Sequence, residues 1–145
     1  MSKAILSTSR SLPIALLRAR ERVVAPIRTI LANADVTEQQ WRVLRVVQES
    51  GPMEPTKIAE EACLLLPSLT RILQKLEEKK LIHRKKDRAD RRRQIVKIAA
   101  KGNALIEAHI TQTIEVLERV SAQMGRERYD TLLDLLNELD GTKER

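Results

Sequence analysis

A basic segment at residues 81–98 constrains the fold and the partner of this chain more than any other stretch. Between positions 83 and 93 it carries seven Lys or Arg side chains and two Asp, a local net charge of +5 out of +7 for the whole chain. Asp- and Arg-rich residues fill the middle of the segment and a short β-branched run follows, a pattern that predicts a two-stranded hairpin with a charged tip. So much positive charge in one hairpin predicts a polyanionic partner.

The composition indicates a mostly helical protein of one domain. The chain has 145 residues with only four Gly, five Pro and very few aromatic side chains, so that good helix formers dominate. No apolar run approaches the roughly 20 residues of a membrane span, and the first residues lack the pattern of a signal peptide. The single cysteine rules out an intrachain disulfide and suits a reducing compartment. We therefore expect a cytoplasmic protein.

The first predicted helix covers residues 11–34, where an apolar stripe at helical spacing alternates with arginines. Pro26 lies inside this pattern. It should kink or split the helix, because it removes a backbone donor and clashes with the preceding turn.

The second predicted helix, residues 38–50, has clear signals at both ends. Thr37 as N-cap and Gln40 three residues later form a capping box. Gly51 and Pro52 should stop the helix.

Two further helices complete a helix-turn-helix pattern. The third is short and opens at Pro55, and the fourth should begin at Pro67. One side of the fourth helix is apolar: Leu65, Leu69, Ile72, Leu73 and Leu76. Its other side is polar and mostly basic: Pro67, Thr70, Arg71, Gln74, Lys75 and Glu78. Two short helices with a tight connection, followed by a basic hairpin, describe a winged helix-turn-helix.

Groove geometry explains why duplex DNA suits this arrangement. A helix fits the major groove of B-DNA, where Ser, Thr, Arg and Gln can read base edges. An arginine-tipped hairpin can reach the adjacent minor groove, whose negative potential deepens where it narrows. The expected fold class is therefore mostly α, a winged helix-turn-helix with a small β-hairpin as its wing.

Three segments resemble the DNA-binding core of MarR-type regulators: VTEQQWRVLRVV, LLLPSLTRILQKLEEKKLIHR and DRADRRRQIVKI. The wing signature of that family is Asp-x-x-Asp-Arg-Arg, matched here by Asp87, Asp90, Arg91 and Arg92. The resemblance covers residues 10–140. Within the family, the phrases TEQQWRVLR and CLLLPSLTRIL are similar to the subgroup that regulates homoprotocatechuate and hydroxyphenylacetate breakdown.

The resemblance implies a set of DNA contacts on the fourth helix and the wing: Pro67, Ser68, Thr70, Arg71, Gln74, Lys75, Arg84, Lys86, Arg88, Asp90, Arg91, Arg92 and Arg93. Asp90 should orient one wing arginine through a bidentate carboxylate pair. Lys80 stands where the family usually has Gly, so the fourth helix must stop without the residue best suited to positive φ.

The ends of the chain are expected to form a homodimer. We predict one domain, residues 1–145, with a DNA-binding lobe at about 36–99 and dimerisation helices at 1–35 and 100–145. The last helix carries an apolar stripe that one short helix cannot bury alone: Tyr129, Leu132, Leu133, Leu136 and Leu139. A homodimer would cover it, as the resemblance also implies.

The resemblance further implies a small aromatic acid or phenol as effector, bound between the dimerisation helices and the DNA-binding lobe. The predicted ligand-binding pair is Trp41, at the edge of its helix face, with Arg18 as a carboxylate clamp. Simple core packing is the alternative for Trp41.

Other classes of site have little support in the sequence. There is no Gly-rich phosphate loop, no nucleophile elbow and no cluster of metal ligands, so neither an enzyme nor a cofactor is expected. Cys63 is expected to be a small core residue, because Ala62 and three leucines flank it.

The function predicted from the sequence is a ligand-responsive repressor of an aromatic-acid catabolic operon, bound to a pseudo-palindromic double-stranded DNA operator. Two alternatives remain open. A nucleoid-type or RNA-binding module could use the same basic wing without sequence preference, and a helical adaptor could bind a membrane surface or a protein partner.

Overall fold

The computed structural model describes residues 7–141, which contain six α-helices and one β-hairpin. After a 3₁₀ turn at Thr8–Arg10, the elements in chain order are α1 (Leu12–Ala32), α2 (Glu38–Ser50), α3 (Pro55–Ala62), α4 (Leu66–Glu78), β1 (Ile82–Lys86), β2 (Gln94–Ile98), α5 (Ala100–Met124) and α6 (Arg126–Asp140). The mostly α fold with a hairpin wing is confirmed.

The described residues divide into two compact units. One consists of residues 7–27 and 112–141, and the other is Arg28–Thr111. The second unit contains the whole of the predicted DNA-binding lobe, residues 36–99.

Helix α1 passes through Pro26 without a break, so Pro26 does not split this helix, and the alternative, a kink, stays a prediction. One proline removes a single hydrogen bond from a helix of 21 residues, and the remaining bonds hold the helix together on both sides of it.

The start of α2 has the predicted capping box. The backbone N–H of Gln40 donates to Thr37 Oγ1 at 3.0 Å, and the backbone N–H of Thr37 donates to Gln40 Oε1 at 3.1 Å. Gly51, with φ at 75°, ends the helix. Both ends of α2 are thus set by local signals in the sequence.

The core of the Arg28–Thr111 unit is made from the inner faces of its helices and wing. Helix α2 contacts α3, α4 and β2, and α4 contacts β1. The large side chains that are completely buried are Leu31, Val43, Leu44, Val47, Ile58, Leu69, Leu73, Leu76, Leu81, Ile82, Val96 and Ile106. At about 1.5–3 kcal/mol for each buried side chain of this size, this core fixes α4 and the wing together.

Two predictions for the region before α4 are wrong. Leu65, expected on the buried face, is the N-cap of α4 and is 78% exposed. Cys63, expected in the core, is exposed and has the left-handed backbone conformation that ends α3. Because both residues lie in the connection between helices, helical periodicity does not describe their exposure. Helix α4 begins at Leu66, one residue earlier than predicted, so Pro67 is its second residue and not its first.

Lys80 ends α4 with the positive φ that the sequence suggested, at 65°. The N–H of Lys80 donates to the carbonyl of Glu77 at 2.9 Å, and the N–H of Leu81 donates to that of Leu76 at 2.9 Å. These are the two bonds of a Schellman cap, formed here without glycine.

The wing is the predicted two-stranded hairpin, and its strands pair with Ile82 opposite Ile98 and Lys86 opposite Gln94. A third segment, not predicted, joins it: Met53 exchanges two backbone hydrogen bonds with Val96, at 3.0 and 2.8 Å. The loop before α3 is thereby attached to β2.

Gly102 was not singled out in the sequence, yet its lack of a side chain is needed. It is buried in the first turn of α5, and a Cβ at this position would collide with the backbone carbonyl of Leu81. The same carbonyl accepts the N–H of Ala99 at 3.0 Å. Gly102 therefore lets the start of α5 approach the start of the wing.

In the unit of residues 7–27 and 112–141, several large apolar side chains are exposed: Leu12, Leu16, Leu17, Ile114, Leu132, Leu133, Leu135 and Leu139. Helix α6 has no buried residue. The predicted excess of apolar surface on the terminal helices is present.

Candidate nucleic-acid interface

The outer face of α4 presents polar side chains to solvent. Pro67, Thr70, Arg71, Gln74 and Lys75 are all exposed, and Ser68 is half-buried. The inner face, by contrast, holds the fully buried Leu69, Leu73 and Leu76. Helical periodicity with a hydrophobic core on one side thus leaves a polar, basic surface on the other.

Asp90 and Arg92 form the bidentate pair predicted for the wing tip. Arg92 donates to the carboxylate of Asp90 through Nε at 3.1 Å, through a terminal nitrogen at 3.3 Å and through its backbone N–H at 3.0 Å. These hydrogen bonds hold the pKa of Asp90 below its usual value. The Arg92 side chain is nevertheless 91% exposed, so that its charge is oriented while it remains accessible.

Arg84 joins the wing to α4. Its Nε and one terminal nitrogen donate to Glu77 Oε1 at 3.1 and 2.7 Å. The hydrogen bond from Arg84 lowers the pKa of Glu77, so the carboxylate stays charged at neutral pH. Arg84 is only 20% exposed, which makes it a link between elements more than a free cation.

Arg93 lies between two carboxylates. Its Nε donates to the carboxylate of Glu54, which precedes α3. A terminal nitrogen of Arg93 lies 3.6 Å from Oδ2 of Asp87, the residue after β1. Asp87 also receives the N–H of Ala89 at 3.1 Å, and its own N–H donates to the carbonyl of Arg93 at 2.9 Å. Arg93 and Asp87 therefore close the base of the wing loop.

The other predicted wing cations face solvent. Lys86, Arg88 and Arg91 are exposed, and no ion pair involves them within the part of the chain described, residues 7–141. These three cations are available for a polyanion.

A groove of about 420 Å³ lies between α4 and the wing. Its lining combines residues of both elements and of the loop before α3: Glu54, Pro55, Thr56, Leu66, Thr70, Leu73, Arg84, Lys86, Arg91, Arg92, Arg93 and Gln94. Five of these are cations and one is an anion, so the groove is positively charged and suits phosphate groups.

The comparison with known proteins identifies this arrangement. A sequence model of the MarR family matches residues 36–93. The HTH-type transcriptional regulator FarR of Neisseria gonorrhoeae is 38% identical over 133 residues, which cover 92% of this chain and 91% of FarR. The chain belongs to the MarR family.

Other MarR-type proteins are also similar along most of their length. The homoprotocatechuate degradative operon repressor of Escherichia coli is 39% identical over 128 residues, which cover 88% of this chain and 86% of the repressor. The structure of NadR in complex with 4-hydroxyphenylacetate has a TM-score of 0.80 and 40% identity, covering 89% of this chain and 92% of NadR. The structure of the transcriptional repressor CouR bound to a 23-mer DNA duplex has a TM-score of 0.78 and 27% identity, covering 97% of this chain and 98% of the CouR chain.

These findings confirm the winged helix-turn-helix, the family and the resemblance to the homoprotocatechuate subgroup. The MarR-family chain is a DNA-binding transcriptional regulator and not an enzyme, because its relatives are transcriptional regulators. Within residues 7–141, no helix has the length and apolarity required to span a bilayer. The same residues hold no group of three His, Cys, Asp or Glu side chains able to bind a metal ion.

The predicted effector pair occupies two different units. Trp41 lies in the Arg28–Thr111 unit and is buried at 8% exposure, as core packing would also require. Arg18 lies in the other unit, where it is exposed and donates to Thr8 Oγ1 at 3.4 Å. Their joint role at a ligand stays a prediction.

Sequence reasoning missed the carboxylates that hold the wing. Glu77 lies seven positions before Arg84, and Glu54 lies 39 positions before Arg93. Glu77 and Arg84 lie on different elements, a helix and a strand, and Glu54 lies in the loop before α3 far from Arg93 along the chain. No periodicity within one helix or strand therefore connects either pair. Only the folded wing shows which arginines have internal partners.

Proposed function

We propose that this MarR regulator represses an operon for the breakdown of an aromatic acid of the hydroxyphenylacetate or homoprotocatechuate type. One observation carries the proposal: relatives about 40% identical include both a homoprotocatechuate operon repressor and NadR with 4-hydroxyphenylacetate bound. The two alignments cover 88% and 89% of this chain.

On DNA, the proposed reader has two parts. Arg71 and Gln74 on the exposed face of α4 contact base edges in the major groove, with Ser68, Thr70 and Lys75 beside them. The wing reaches the minor groove with Arg91 and Arg92 at its tip, while Asp90 keeps Arg92 in place. Pro67, Arg84, Lys86, Arg88 and Arg93 complete the proposed contact set.

The protein acts as a homodimer on a pseudo-palindromic operator in this proposal. Dimers are typical of the family, and the exposed leucines of α1 and α6 offer apolar surface for a second copy. Residues 36–99 then form the DNA-binding lobe, and the segments 1–35 and 100–145 carry the dimerisation helices. A regulator of chromosomal operators works in the cytoplasm.

The effector binds more tightly to one conformation of the dimer, in which the spacing of the two recognition helices does not match the spacing of the operator half-sites. A 100-fold preference for that state supplies about 2.7 kcal/mol of coupling. The proposed ligand-binding residues are Trp41, for an aromatic ring, and Arg18, for a carboxylate.

Operator binding tests the DNA-binding half of the proposal. Duplexes selected from a random library should bind at least about 10³-fold tighter than unrelated DNA, which a nucleoid-type or RNA-binding module would not achieve. Arg92→Ala should weaken binding to every duplex and reduce the salt slope by about one unit, whereas Arg71→Ala should relax preference at particular base pairs. Arg119→Ala, which removes an equal charge from α5, is the control. Equal affinity for all duplexes would refute the proposal.

Ligand titration tests the other half. Trp41 is the single tryptophan, so its fluorescence reports on its own surroundings. Adding 4-hydroxyphenylacetate should change this fluorescence and release the protein from its operator, and Arg18→Ala should weaken both effects. Unchanged fluorescence and unchanged operator affinity at millimolar ligand would exclude this effector class.

A further inference from the structure

Two large apolar side chains lie exposed where α4 begins. Leu65 is 78% exposed and Leu66 is 43% exposed. Within the described unit Arg28–Thr111, no other large apolar side chain is exposed to this degree. A single exposed leucine is ordinary, but two adjacent ones at the end of a DNA-reading helix call for a partner.

The backbone explains why these leucines escape the core. Leu65 is the N-cap of α4, with extended φ and ψ of −71° and 144°, so it precedes the helical turn that carries Leu69 inward. Leu66 is the first helical residue and lines the basic groove beside Arg91 and Arg92. The apolar tip of α4, Leu65 and Leu66, is therefore continuous with the surface proposed for DNA.

Thr70, one turn after Leu66, extends this apolar character. Its hydroxyl donates to the backbone carbonyl of Leu66 at 3.0 Å. The hydroxyl proton is thereby used inside the helix, so Thr70 has no donor left for a base edge, whereas its methyl group remains. Hydrogen-bond donors for bases come further along α4, from Arg71 and Gln74.

We propose that the apolar tip of α4 reads thymine by contact with its C5-methyl group. In helix-turn-helix proteins the first residues of the recognition helix contact base edges. In the major groove, thymine is the base that presents a methyl group there, and apolar side chains recognise it. The positive charge of the adjoining groove complements the phosphates on either side. This proposal rests on the DNA-reading function above and names the base that part of α4 selects.

Replacing thymine by deoxyuridine isolates this contact, because it removes the methyl group and leaves every hydrogen-bonding group unchanged. The duplex is the one that the full-length wild-type protein selects most tightly from a random library. Each thymine of one half-site is replaced in turn. Wild-type binding should weaken about fourfold at one or two positions, and about 15-fold when both half-sites are changed, as expected for burial of one methyl group in each.

Leu65→Ala and Leu66→Ala identify the reader of the methyl group. At the position whose side chain contacts the methyl group, alanine should weaken binding to the thymine duplex by about fourfold. The same variant should then lose no further affinity when that thymine is replaced by deoxyuridine. Leu65→Met should keep the wild-type sensitivity, since it keeps an apolar side chain of similar volume. Arg71→Ala should bind more weakly but remain as sensitive to deoxyuridine as the wild type. Because both leucines are exposed, thermal unfolding should be unchanged.

Several results would overturn the proposal. Equal wild-type affinity for thymine and deoxyuridine at every position would mean that no methyl group is read. Unchanged deoxyuridine sensitivity in both alanine variants would assign the contact to another residue. If DNA-free Leu65→Ala or Leu66→Ala sediments differently from the wild type while its sensitivity to deoxyuridine is unchanged, the apolar tip mediates contact between protein chains and not with thymine. A wild-type protein that selects no sequence would refute the proposed function itself.

Discussion

At the scale of single residues, three positions within the described residues 7–141 adopt a left-handed backbone without glycine: Asp35, Cys63 and Lys80, with φ of 57°, 55° and 65°. Each follows the end of a helix, and the next residue donates its N–H back to the last turn. For Cys63 and Lys80 this conformation costs about 1–2 kcal/mol, whereas Asp tolerates it better. At Cys63 and Lys80 the surrounding fold therefore maintains a conformation that the residue itself disfavours.

Lys80→Gly should raise the free energy of unfolding by about 0.5–1 kcal/mol. Glycine relieves the strain at positive φ, and its greater freedom in the unfolded chain offsets part of that gain. Chemical denaturation at neutral pH measures the difference. Lys85→Gly, at an exposed position of β1 with ordinary φ, is the control and should lower stability by a similar amount. A lower stability of Lys80→Gly would mean that the lysine side chain itself holds the cap.

At the scale of elements, the Glu77–Arg84 pair connects the recognition helix α4 to the first strand of the wing. Helix α4 and β1 also contact each other, and Leu76, Leu81 and Ile82 are buried where the two elements follow one another. The ion pair adds an electrostatic connection that responds to pH, because only the charged carboxylate accepts both hydrogen bonds well.

Glu77→Gln should lower stability at neutral pH by at most about 1 kcal/mol, since the carboxylate is partly exposed and screened by solvent. Folding lowers the pKa of Glu77 from its ordinary value of 4.5. The stabilisation is therefore complete above pH 4.5 and disappears as the pH falls through the lowered pKa of the folded state. Unfolding measured from pH 7 to pH 3 should show wild type and variant converging in acid.

Glu78→Gln is the matched control for that series. Glu78 is the next residue of α4, is more exposed, and has only a 3.7 Å contact with Lys75. Its replacement should change stability by less than 0.5 kcal/mol at any pH. If Glu77→Gln behaves like Glu78→Gln at neutral pH, the link between α4 and the wing is made by the core alone.

At the scale of the whole molecule, helices α1 and α6 expose large apolar side chains within the described residues 7–141. On α6, Leu132, Leu133, Leu135 and Leu139 are between 39% and 60% exposed. On the opposite side of this helix lie Asp130 and Asp134, as the 100° rotation for each residue requires. One side of α6 is thus suited to a protein interface and the other to water.

Leu135→Glu should weaken self-association at least tenfold, because it places a charge in a surface that must lose its water. Operator affinity should fall with it, since each protomer then holds a single half-site. Sedimentation at several protein concentrations and operator titration measure the two effects. Asp134→Lys changes the charge on the polar side of the same helix and should leave both unaffected. Unchanged association of Leu135→Glu would place the dimer interface elsewhere.

Local patterns in the sequence sufficed for the order of elements, the capping box at Thr37, the wing and the family. The family resemblance added a pair between Asp90 and one wing arginine and a helix end at Lys80 that normally uses glycine. Each of these depends on residues within a few positions of one another, or on a characteristic motif. Periodicity also placed Leu69, Leu73 and Leu76 on the inner face of α4, because they repeat with the helix.

Only the tertiary structure decided which residues at the ends of these elements are covered and by what. It exposes Leu65 and Cys63, brings Glu54 to Arg93 and Glu77 to Arg84, attaches Met53 to β2, and requires Gly102 to lack a side chain against Leu81. These features depend on distances between segments far apart along the chain. Short-range patterns determine what each element is, whereas packing between elements determines which of its side chains remain free to meet DNA.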